Sequence, residues 1–392
     1  MPLSSNSQFL VDALIAEPLV AGRFKNLKLV NYNSVADQRQ GCFSLVFSAD
    51  DELTGDRVAL KFFDLDPKFF GDKYRRAAFD REEEILQSLV GKGRCLQLVA
   101  HMDQYTLTVP TANGQSVVFP CKFFAVQWLE DSIDDYFLGN DVEAVKKLKL
   151  FNEIVLAVEA LHRNEIFHRD LKADNLRSFQ LNLKKLVIAI DLGTAARFAS
   201  GVISQSYDGQ VGALGYAAPE ARCSLAGNRI IAPYTDIYAL GCLLYELFNA
   251  KYFYYRQAND NPTMDITLAA MVAHLAGANS EADQVRAWNN ALSIHRGGII
   301  SSRIDEFGSS VPPGIAPILN EILAALTDFD YSRRPRKLEN IRQKIWAAIK
   351  IIENQKIYDA RLARLRDERR KREEKLRTRE QAIQSNVLRQ AC

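Results

Sequence analysis

Two short segments near the middle of the chain carry carboxylate and amide side chains at a spacing suited to a metal ion. The first, FHRDLKADNL, places Asp170 five residues before Asn175, with Lys172 between them. The second, VIAIDLGTA, presents Asp191 directly after an apolar run. Carboxylate and amide oxygens are hard ligands that suit Mg²⁺ better than a soft metal. The two segments therefore indicate a site for Mg²⁺ chemistry.

Together, these segments resemble the signature of the eukaryotic-type serine/threonine protein kinase family, with DLG where the family usually has D-F-G. The resemblance implies that Asp170 orients a substrate hydroxyl and accepts its proton, while Lys172 neutralises the transferring phosphoryl group. It also implies that Asn175 and Asp191 bind the Mg²⁺ ions that accompany ATP. In this family a lysine at the position of Lys172 favours serine/threonine over tyrosine substrates.

The N-terminal part of the chain supplies residues that would hold the nucleotide. VALK ends in Lys61, which the resemblance assigns to the α- and β-phosphates of ATP. Ala59 and Lys61 are two residues apart on a predicted strand and share a face, which would put Ala59 beside the adenine. In the family a helical glutamate pairs with this lysine, and the register of EEEIL favours Glu82 over Glu83.

RQGCFSLVF, upstream of VALK, aligns with the glycine-rich loop of the family although only one glycine remains. Gly41 takes the place of the middle glycine, and Val46 that of the valine covering the adenine. Arg39 and Ser44 replace the first and third glycines. Backbone amides can hold phosphate without glycine when no side chain blocks the approach. We therefore expect a working but stiffer loop.

FFAVQWLEDSIDDY resembles the hinge that joins the two lobes of a kinase. The resemblance places backbone groups of Gln127, Trp128 and Leu129 in hydrogen bonds with the adenine of ATP.

Three further segments match architectural positions of the family. GALGYAAPE resembles the end of the activation segment, and DYSRRP then offers Arg334 as the buried partner of Glu220. TDIYALG places Asp236 where it would fix the catalytic loop from behind. Ala213 stands where serine/threonine kinases usually have a threonine, whose hydroxyl would contact Asp170. The substitution predicts altered contacts around the substrate hydroxyl.

Arg169, beside the proposed catalytic aspartate, commonly pairs in this family with a phosphorylated residue of the activation segment. Ser204, Ser206 and Tyr207 are the candidates for that phosphorylation, and an unmodified solvated loop is the alternative.

Periodicity divides the chain into a strand-rich first part and a helix-rich second part. From about 26 to 130 the apolar residues alternate as in strands, with one helix over 73–91, and after 140 their spacing is helical. This pattern predicts an α+β, two-lobed layout. With the resemblance, it becomes a protein-kinase-like fold: a small antiparallel β-rich lobe with one regulatory helix, a large mainly helical lobe and a C-terminal helical tail. The predicted units are an N-terminal extension (1–25), a kinase domain (26–349, with lobes 26–128 and 129–349) and a basic helical tail (350–392).

The segment between Asp236 and Arg334 is longer than the corresponding segment usually is in the protein kinase family. We predict an added helical pair within 256–312. This pair either forms a docking surface for a substrate or partner, or is an addition to the large lobe with no separate binding role.

Charge is unevenly placed along the chain. Residues 350–392 hold 13 Lys and Arg against 7 Asp and Glu, which gives the tail a charge of +6, whereas the remainder sums to about −4. The negative charge of residues 1–349 therefore argues against nucleic-acid binding by that part of the chain, whereas the positive tail suits an acidic partner or nucleic acid. The six cysteines show no zinc-site spacing, which favours reduced thiols and a cytoplasmic location. IYALGCLLYELF is too short to span a bilayer and predicts a buried helix, with no membrane partner.

Two other classes compete with a protein kinase that uses ATP and Mg²⁺ and acts on protein substrates. A pseudokinase, serving as a nucleotide-binding or interaction scaffold, is favoured by the glycine-poor loop and by Ala213. The retention of Lys61, Asp170, Asn175 and Asp191 argues against it more strongly. A small-molecule kinase is disfavoured by Lys172 and the APE segment.

Overall fold

The computed structural model describes residues 2–33, 38–39, 44–69, 72–110, 113–129, 131–138, 142–181, 184–197, 212–305 and 310–390. The strands are β1 (Phe24–Leu29), β2 (Tyr32–Asn33), β3 (Gln38–Arg39), β4 (Ser44–Asp51), β5 (Arg57–Phe63), β6 (Leu98–Pro110), β7 (Ser116–Gln127), β8 (Asp131–Ser132), β9 (Ile166–Phe167), β10 (Leu176–Leu181), β11 (Lys184–Ala189) and β12 (Ala196–Arg197). The helices are α1 (Ser5–Ala16), α2 (Lys73–Ser88), α3 (Asp135–Leu138), α4 (Ala144–Arg163), α5 (Pro219–Arg222), α6 (Ala232–Asn249), α7 (Phe253–Asp260), α8 (Met264–Ala273), α9 (Glu281–His295), α10 (Ala316–Leu326) and α11 (Glu339–Gln390).

The small lobe is built on a five-stranded antiparallel sheet in the order β1-β4-β5-β7-β6. Alternation along β5 sends Leu60 and Phe62 into a closed apolar core, where the Phe62 ring stacks on Phe123 of β7. In the same register, Lys61 lies opposite Val46 on β4 and Phe124 on β7. The central strand is thereby held on both sides, which fixes the position of the lysine.

Residues 5–16 form a helix, α1, within the segment that the sequence analysis treats only as an N-terminal extension. Ser4 caps it by accepting a hydrogen bond from the Ser7 amide. Leu10 and Leu14 are fully buried in the small-lobe core, and the Ser7 hydroxyl donates to Asp64 at 2.6 Å. The N-terminal extension is therefore packed onto the small lobe by both apolar and polar contacts.

Helix α2 places one face against the sheet and the cleft. Asp72 caps its first turn by accepting from the amides of Tyr74 and Arg75. Its buried face includes Phe79, whose ring lies 5.0 Å from that of Phe124, and Glu82. This packing fixes the rotation of α2 about its own axis, which places Glu82 on the buried face of the helix.

The large lobe is organised around two long helices, α4 and α6, with α10 beside them. The apolar face of α4 is buried, and nearly all of α6 is buried in the same core. IYALGCLLYELF therefore lies within a core helix. In the part of the chain that the structure describes, no helix has the length and apolar character needed to cross a membrane.

Residues 256–312, where the sequence predicts an added helical pair, contain α8 and α9 together with the last part of α7. α8 and α9 form their own apolar cluster around the fully buried Trp288, which includes Met264, Leu268 and Met271. These helices therefore contribute a second core to the large lobe.

The C-terminal helix α11 is one continuous helix of 52 residues. Its first turns are packed on the large lobe through Ile341, Ile345, Ile349 and Ile352. Beyond Ile352, nearly all described side chains are exposed. The long helix predicted for the tail is thus present, and it begins at Glu339, inside the large lobe.

Candidate active site

Lys61 of β5 lies between two carboxylates at the junction of the lobes. Its Nζ is 2.7 Å from Glu82 Oε1 of α2 and 3.2 Å from Asp191 Oδ1, which follows β11. In contrast, Glu83 Oε1 accepts a hydrogen bond from Nδ1 of the exposed His101, at 2.9 Å. Burial opposes the positive charge of Lys61, but Glu82 and Asp191 outweigh it and raise the pKa of the lysine. Lys61 therefore stays charged at neutral pH. Its ion pair with Asp191, the candidate metal ligand, links the small lobe to the segment that follows β11.

Asp191 adopts a left-handed backbone conformation, with φ 62° and ψ 65°. Aspartate is one of the few residues besides glycine that enter this region readily. The turn allows the next residue, Leu192, to be fully buried and its amide to donate to Glu82 Oε1 at 3.1 Å. Helix α2 and the DLG segment are thus locked together by the same carboxylate that binds Lys61.

Asp170 lies in a network of short contacts that orient its carboxylate. Asn175 Nδ2 donates to the Asp170 carbonyl at 2.8 Å and to Oδ2 at 3.1 Å, while the Ala213 amide donates to Oδ1 at 2.7 Å. Lys172 Nζ lies 3.9 Å from Oδ2. Because Nδ2 of Asn175 is engaged, the oxygen of that side chain is the atom left for a metal.

Asp236 of α6 holds the loop that carries Asp170. Its carboxylate is buried and accepts from the amides of His168 and Arg169, each at 2.8 Å, and it contacts His162 Nε2 at 2.9 Å. Burial raises the pKa of Asp236, but these hydrogen bonds and the nearby histidines lower it overall. The geometry is the one that the resemblance implied for this residue.

Arg169 is partly buried behind the loop and donates from Nε to the Thr194 carbonyl at 2.7 Å. Burial lowers the pKa of this arginine to about 10, an environment in which an anion would stabilise its charge. The candidate phosphorylation sites Ser204, Ser206 and Tyr207 lie outside the described residues.

A cavity of about 580 Å³ lies between the lobes and brings most of the predicted site residues together. Its lining includes Val46, Ala59, Lys61, Gln127, Trp128, Leu129, Lys172, Asn175 and Asp191. Gly41, predicted as the middle glycine of the loop, lies outside the described residues. The cavity has apolar walls at the hinge and charged groups at the opposite side, which suits an adenine nucleotide.

Asn31 was missed by sequence reasoning, although it also lines this cavity. It bridges the end of β1 and β4: its Nδ2 donates to the Ser44 carbonyl, and its Oδ1 accepts from the Val46 amide, both at 2.9 Å. The bridge fixes the strand that would cover the adenine. No sequence motif marked it, because its partners are backbone groups.

The candidate Mg²⁺ ligands fit a metal bound together with phosphates. Asn175 and Asp191 line the same cavity, and both offer oxygen. Among the described residues, no group of three or more His, Cys, Asp and Glu is placed to hold a metal ion by itself. Mg²⁺ commonly takes one or two carboxylates and completes its shell with phosphate oxygens and water.

The protein kinase domain family matches residues 39–347, and the chain therefore belongs to that family. The family and the two-lobed fold predicted from the sequence are both confirmed.

Curated relatives share about a quarter of the aligned residues. The chain is 28% identical over 236 residues to "SNF-related serine/threonine-protein kinase" of Rattus norvegicus, covering 58% of this chain and 28% of that protein. It is 27% identical over 228 residues to "Probable serine/threonine-protein kinase 2" of Plasmodium falciparum, covering 57% and 38%. A third relative, "Serine/threonine protein kinase OSK3" of Oryza sativa subsp. indica, is 27% identical over 223 residues, covering 56% and 38%. The matched region spans well under half the length of each of these relatives.

Proposed function

We propose that the protein is an active serine/threonine protein kinase that transfers the γ-phosphoryl group of ATP to protein hydroxyls, with Mg²⁺. The observation that carries this proposal is the position of Lys61, in contact with both Glu82 and Asp191 in the nucleotide cavity. In kinases this lysine–glutamate pair and the metal-binding aspartate must both be in place for transfer. The relatives named as serine/threonine kinases support the substrate class.

Each proposed role follows from the surroundings of the residue. Lys61 would hold the α- and β-phosphates, and the backbone of Gln127 to Leu129 would meet the adenine. Asn175 and Asp191 would hold Mg²⁺, which supplies positive charge against the phosphates. Asp170 would orient the substrate hydroxyl and accept its proton at a carboxylate oxygen, while Lys172 offsets charge on the phosphoryl group. Catalysis then rests on positioning and electrostatic stabilisation.

The Ala213 amide supports the enzyme over the pseudokinase alternative. The sequence suggested that loss of the usual threonine hydroxyl would disturb the contacts of Asp170. In the structure, the backbone N–H of Ala213 donates a hydrogen bond to Asp170 Oδ1. This donor belongs to the main chain and does not depend on the side chain at position 213. Orientation of the proposed base is therefore compatible with alanine.

The direct test is incubation of the full chain with labelled ATP and Mg²⁺, followed by identification of the phosphorylated amino acids. We expect label on serine or threonine of the chain itself or of a general protein substrate. Nucleotide binding without any transfer would favour the pseudokinase, and transfer to tyrosine alone would contradict the proposed substrate class.

Gly212 provides a second test, because it carries the Ala213 amide toward Asp170. Its φ is +86°, and a Cβ there would lie 2.4 Å from the Arg169 carbonyl oxygen. We expect Gly212→Ala to displace this amide and to lower the transfer rate by about 10²-fold, as small misplacements in a catalytic site can do. The rate is measured with saturating ATP.

Gly277→Ala is the matched control for that variant. Its φ is +82°, but nothing lies within 4 Å of the added Cβ, so it tests backbone strain without the clash. We expect it to keep the wild-type rate. Equal rates for Gly212→Ala and the wild type would contradict a role for the Ala213 amide.

The basic tail and the location of the protein remain predictions. The described side chains of α11 beyond Ile352 are mostly exposed, which is compatible with a partner of negative charge, either an acidic protein or nucleic acid. The cytoplasmic location expected from the cysteines belongs to the same proposal. Among the described residues, Cys95, Cys121, Cys223 and Cys242 are free thiols.

A further inference from the structure

The outer part of α11 carries a line of exposed apolar side chains that we call the tail seam. Neighbouring residues of a helix lie about 100° apart around its axis, so the buried Ile352 and the 40% exposed Ile351 belong to different faces. From Ile351 outward, apolar residues recur at the four- and three-residue intervals of a two-helix coiled coil. These residues are Ile351, Tyr358, Leu362, Leu365 and Leu376. Leu362 is half-buried and the others are exposed, so the seam is open to a second helix.

Three polar residues fill the remaining positions of the tail seam and decide how a second helix can lie on it. Gln355, Arg369 and Arg372 complete the four- and three-residue spacing between Ile351 and Leu376. In a parallel pair of identical helices, each seam residue meets the same residue of the second copy. Arg369 would then meet Arg369, and Arg372 would meet Arg372, and such like charges repel. The seam therefore disfavours a parallel pair of tails.

An antiparallel pair of tails brings each seam residue against a different one. With the two-fold axis between residues 363 and 364, four kinds of layer result: Leu362 with Leu365, Tyr358 with Arg369, Gln355 with Arg372, and Ile351 with Leu376 of the second copy. Two of these layers are apolar. The tyrosine face attracts a guanidinium group, and the glutamine carbonyl accepts a hydrogen bond from one. Every residue of the tail seam thus meets a compatible one.

Charged residues beside the tail seam select this register. Arg361 and Glu368 lie on one flank of the seam, and Asp359 and Arg366 lie on the other. With the axis between residues 363 and 364, Arg361 faces Glu368 of the second copy and Asp359 faces Arg366, and symmetry repeats both pairs. A shift of the axis by half a heptad pairs like charges on both flanks. In one direction Arg366 and Glu368 each meet their own copy, and in the other Asp359 and Arg361 do.

Both flank arginines are accessible to a second copy. Arg361 and Arg366 are exposed, and among the ion pairs between described residues of this part of α11 none includes either of them. Glu368 lies 3.6 Å from Arg364, one turn away on the same helix. Exposed pairs of this kind contribute little, so Glu368 can also accept from an arginine of another chain.

We propose that residues 351–376 of α11 bind the same segment of a second copy of this chain as an antiparallel coiled coil. The apolar layers supply the attraction, and the flank charges set the direction and the register. The same surface is used on both copies, so the contact closes as a two-fold symmetric dimer. This inference goes beyond the proposed phosphoryl transfer and does not rest on it.

The association is tested by sedimentation equilibrium of the full chain at physiological salt, where we expect a reversible dimer. Arg361→Glu replaces two attractive flank contacts by repulsive ones and should raise the dimer Kd by at least about ten-fold. Adding Glu368→Arg to that variant restores opposite charges and should return the Kd to within about three-fold of the wild type. Arg370→Glu makes the same charge change at an exposed position off the seam, and this matched control should leave the Kd unchanged.

Disulfide formation tests the direction of the two helices. Gln355→Cys and Arg372→Cys are made in separate chains of different mass, both with Cys42→Ser and Cys392→Ser. In the proposed pair positions 355 and 372 face each other, whereas two copies of one variant hold their thiols about 25 Å apart along the axis. We therefore expect a cross-linked dimer after mild oxidation of the mixture, and none from either variant alone.

Each contrary outcome overturns a stated part of the inference. A chain that stays monomeric would overturn the self-association. A dimer that Arg361→Glu leaves unchanged, or that the added Glu368→Arg does not restore, would overturn the assigned register. Cross-linking of each variant with itself would show a parallel pair and would overturn the direction. The kinase proposal is assayed separately and stands or fails independently of these results.

Discussion

Replacement of Asp170 by asparagine is expected to reduce phosphoryl transfer by about 10²–10⁴-fold, the usual effect of losing a positioned general base. Asparagine has the same shape and its oxygen can still accept from the Ala213 amide, but it cannot take the proton of a substrate hydroxyl. Initial rates with labelled ATP and a protein substrate measure the effect. Thermal unfolding of the same sample shows whether the fold is kept.

Asp56→Asn is the matched control, because Asp56 is an exposed aspartate in the turn between β4 and β5. It should have wild-type activity. Wild-type activity in Asp170→Asn, with an unchanged fold, would mean that Asp170 is not the base and that the proposed mechanism is wrong.

Removal of Arg334 is expected to have the largest effect on stability. Its guanidinium makes two hydrogen bonds to Glu220, at 2.6 and 3.0 Å, and both side chains are fully buried. Removing one partner of a buried ion pair leaves an uncompensated charge, and we expect Arg334→Met to lower the free energy of unfolding by about 3–5 kcal/mol. Chemical denaturation measures the change.

Arg333→Met is the control for this prediction, since Arg333 is adjacent and largely exposed. A surface ion pair contributes about 0–1 kcal/mol, so this variant should be close to wild type. The double variant Glu220→Leu with Arg334→Met removes both charges and should recover part of the lost stability. If Arg334→Met unfolds like Arg333→Met, the buried pair does not stabilise the large lobe as we argue.

The arrangement around Lys61 was accessible from sequence because it depends on regular elements. Alternation on a strand sets the face of Lys61, and helical periodicity separates adjacent glutamates by about 100° around the axis. The spacing that the family resemblance implies between this glutamate and an apolar pair, here Ile85 and Leu86, then favoured Glu82 over Glu83. In the structure Lys61 contacts Glu82, whereas Glu83 contacts His101.

Contacts that join distant segments, or that use backbone groups, were not accessible in the same way. Helix α1 was not predicted, because its burial depends on contacts with residues much further along the chain, such as that of Ser7 with Asp64. The bond from the Ala213 amide to Asp170 would be the same for almost any residue type at that position. A cavity beside the catalytic loop likewise joins residues far apart in sequence, such as Asp134 and Tyr252.

The continuity of α11 sets a length scale for anything attached to its far end. From the last packed residue, Ile352, to Gln390 the helix runs for 38 residues, which at 1.5 Å per residue is about 57 Å. Ion pairs one turn apart, such as Arg369 with Glu373, stabilise this exposed part of the helix. A partner bound at the far end of α11 would therefore lie about 57 Å along the helix axis from the large-lobe contact of Ile352.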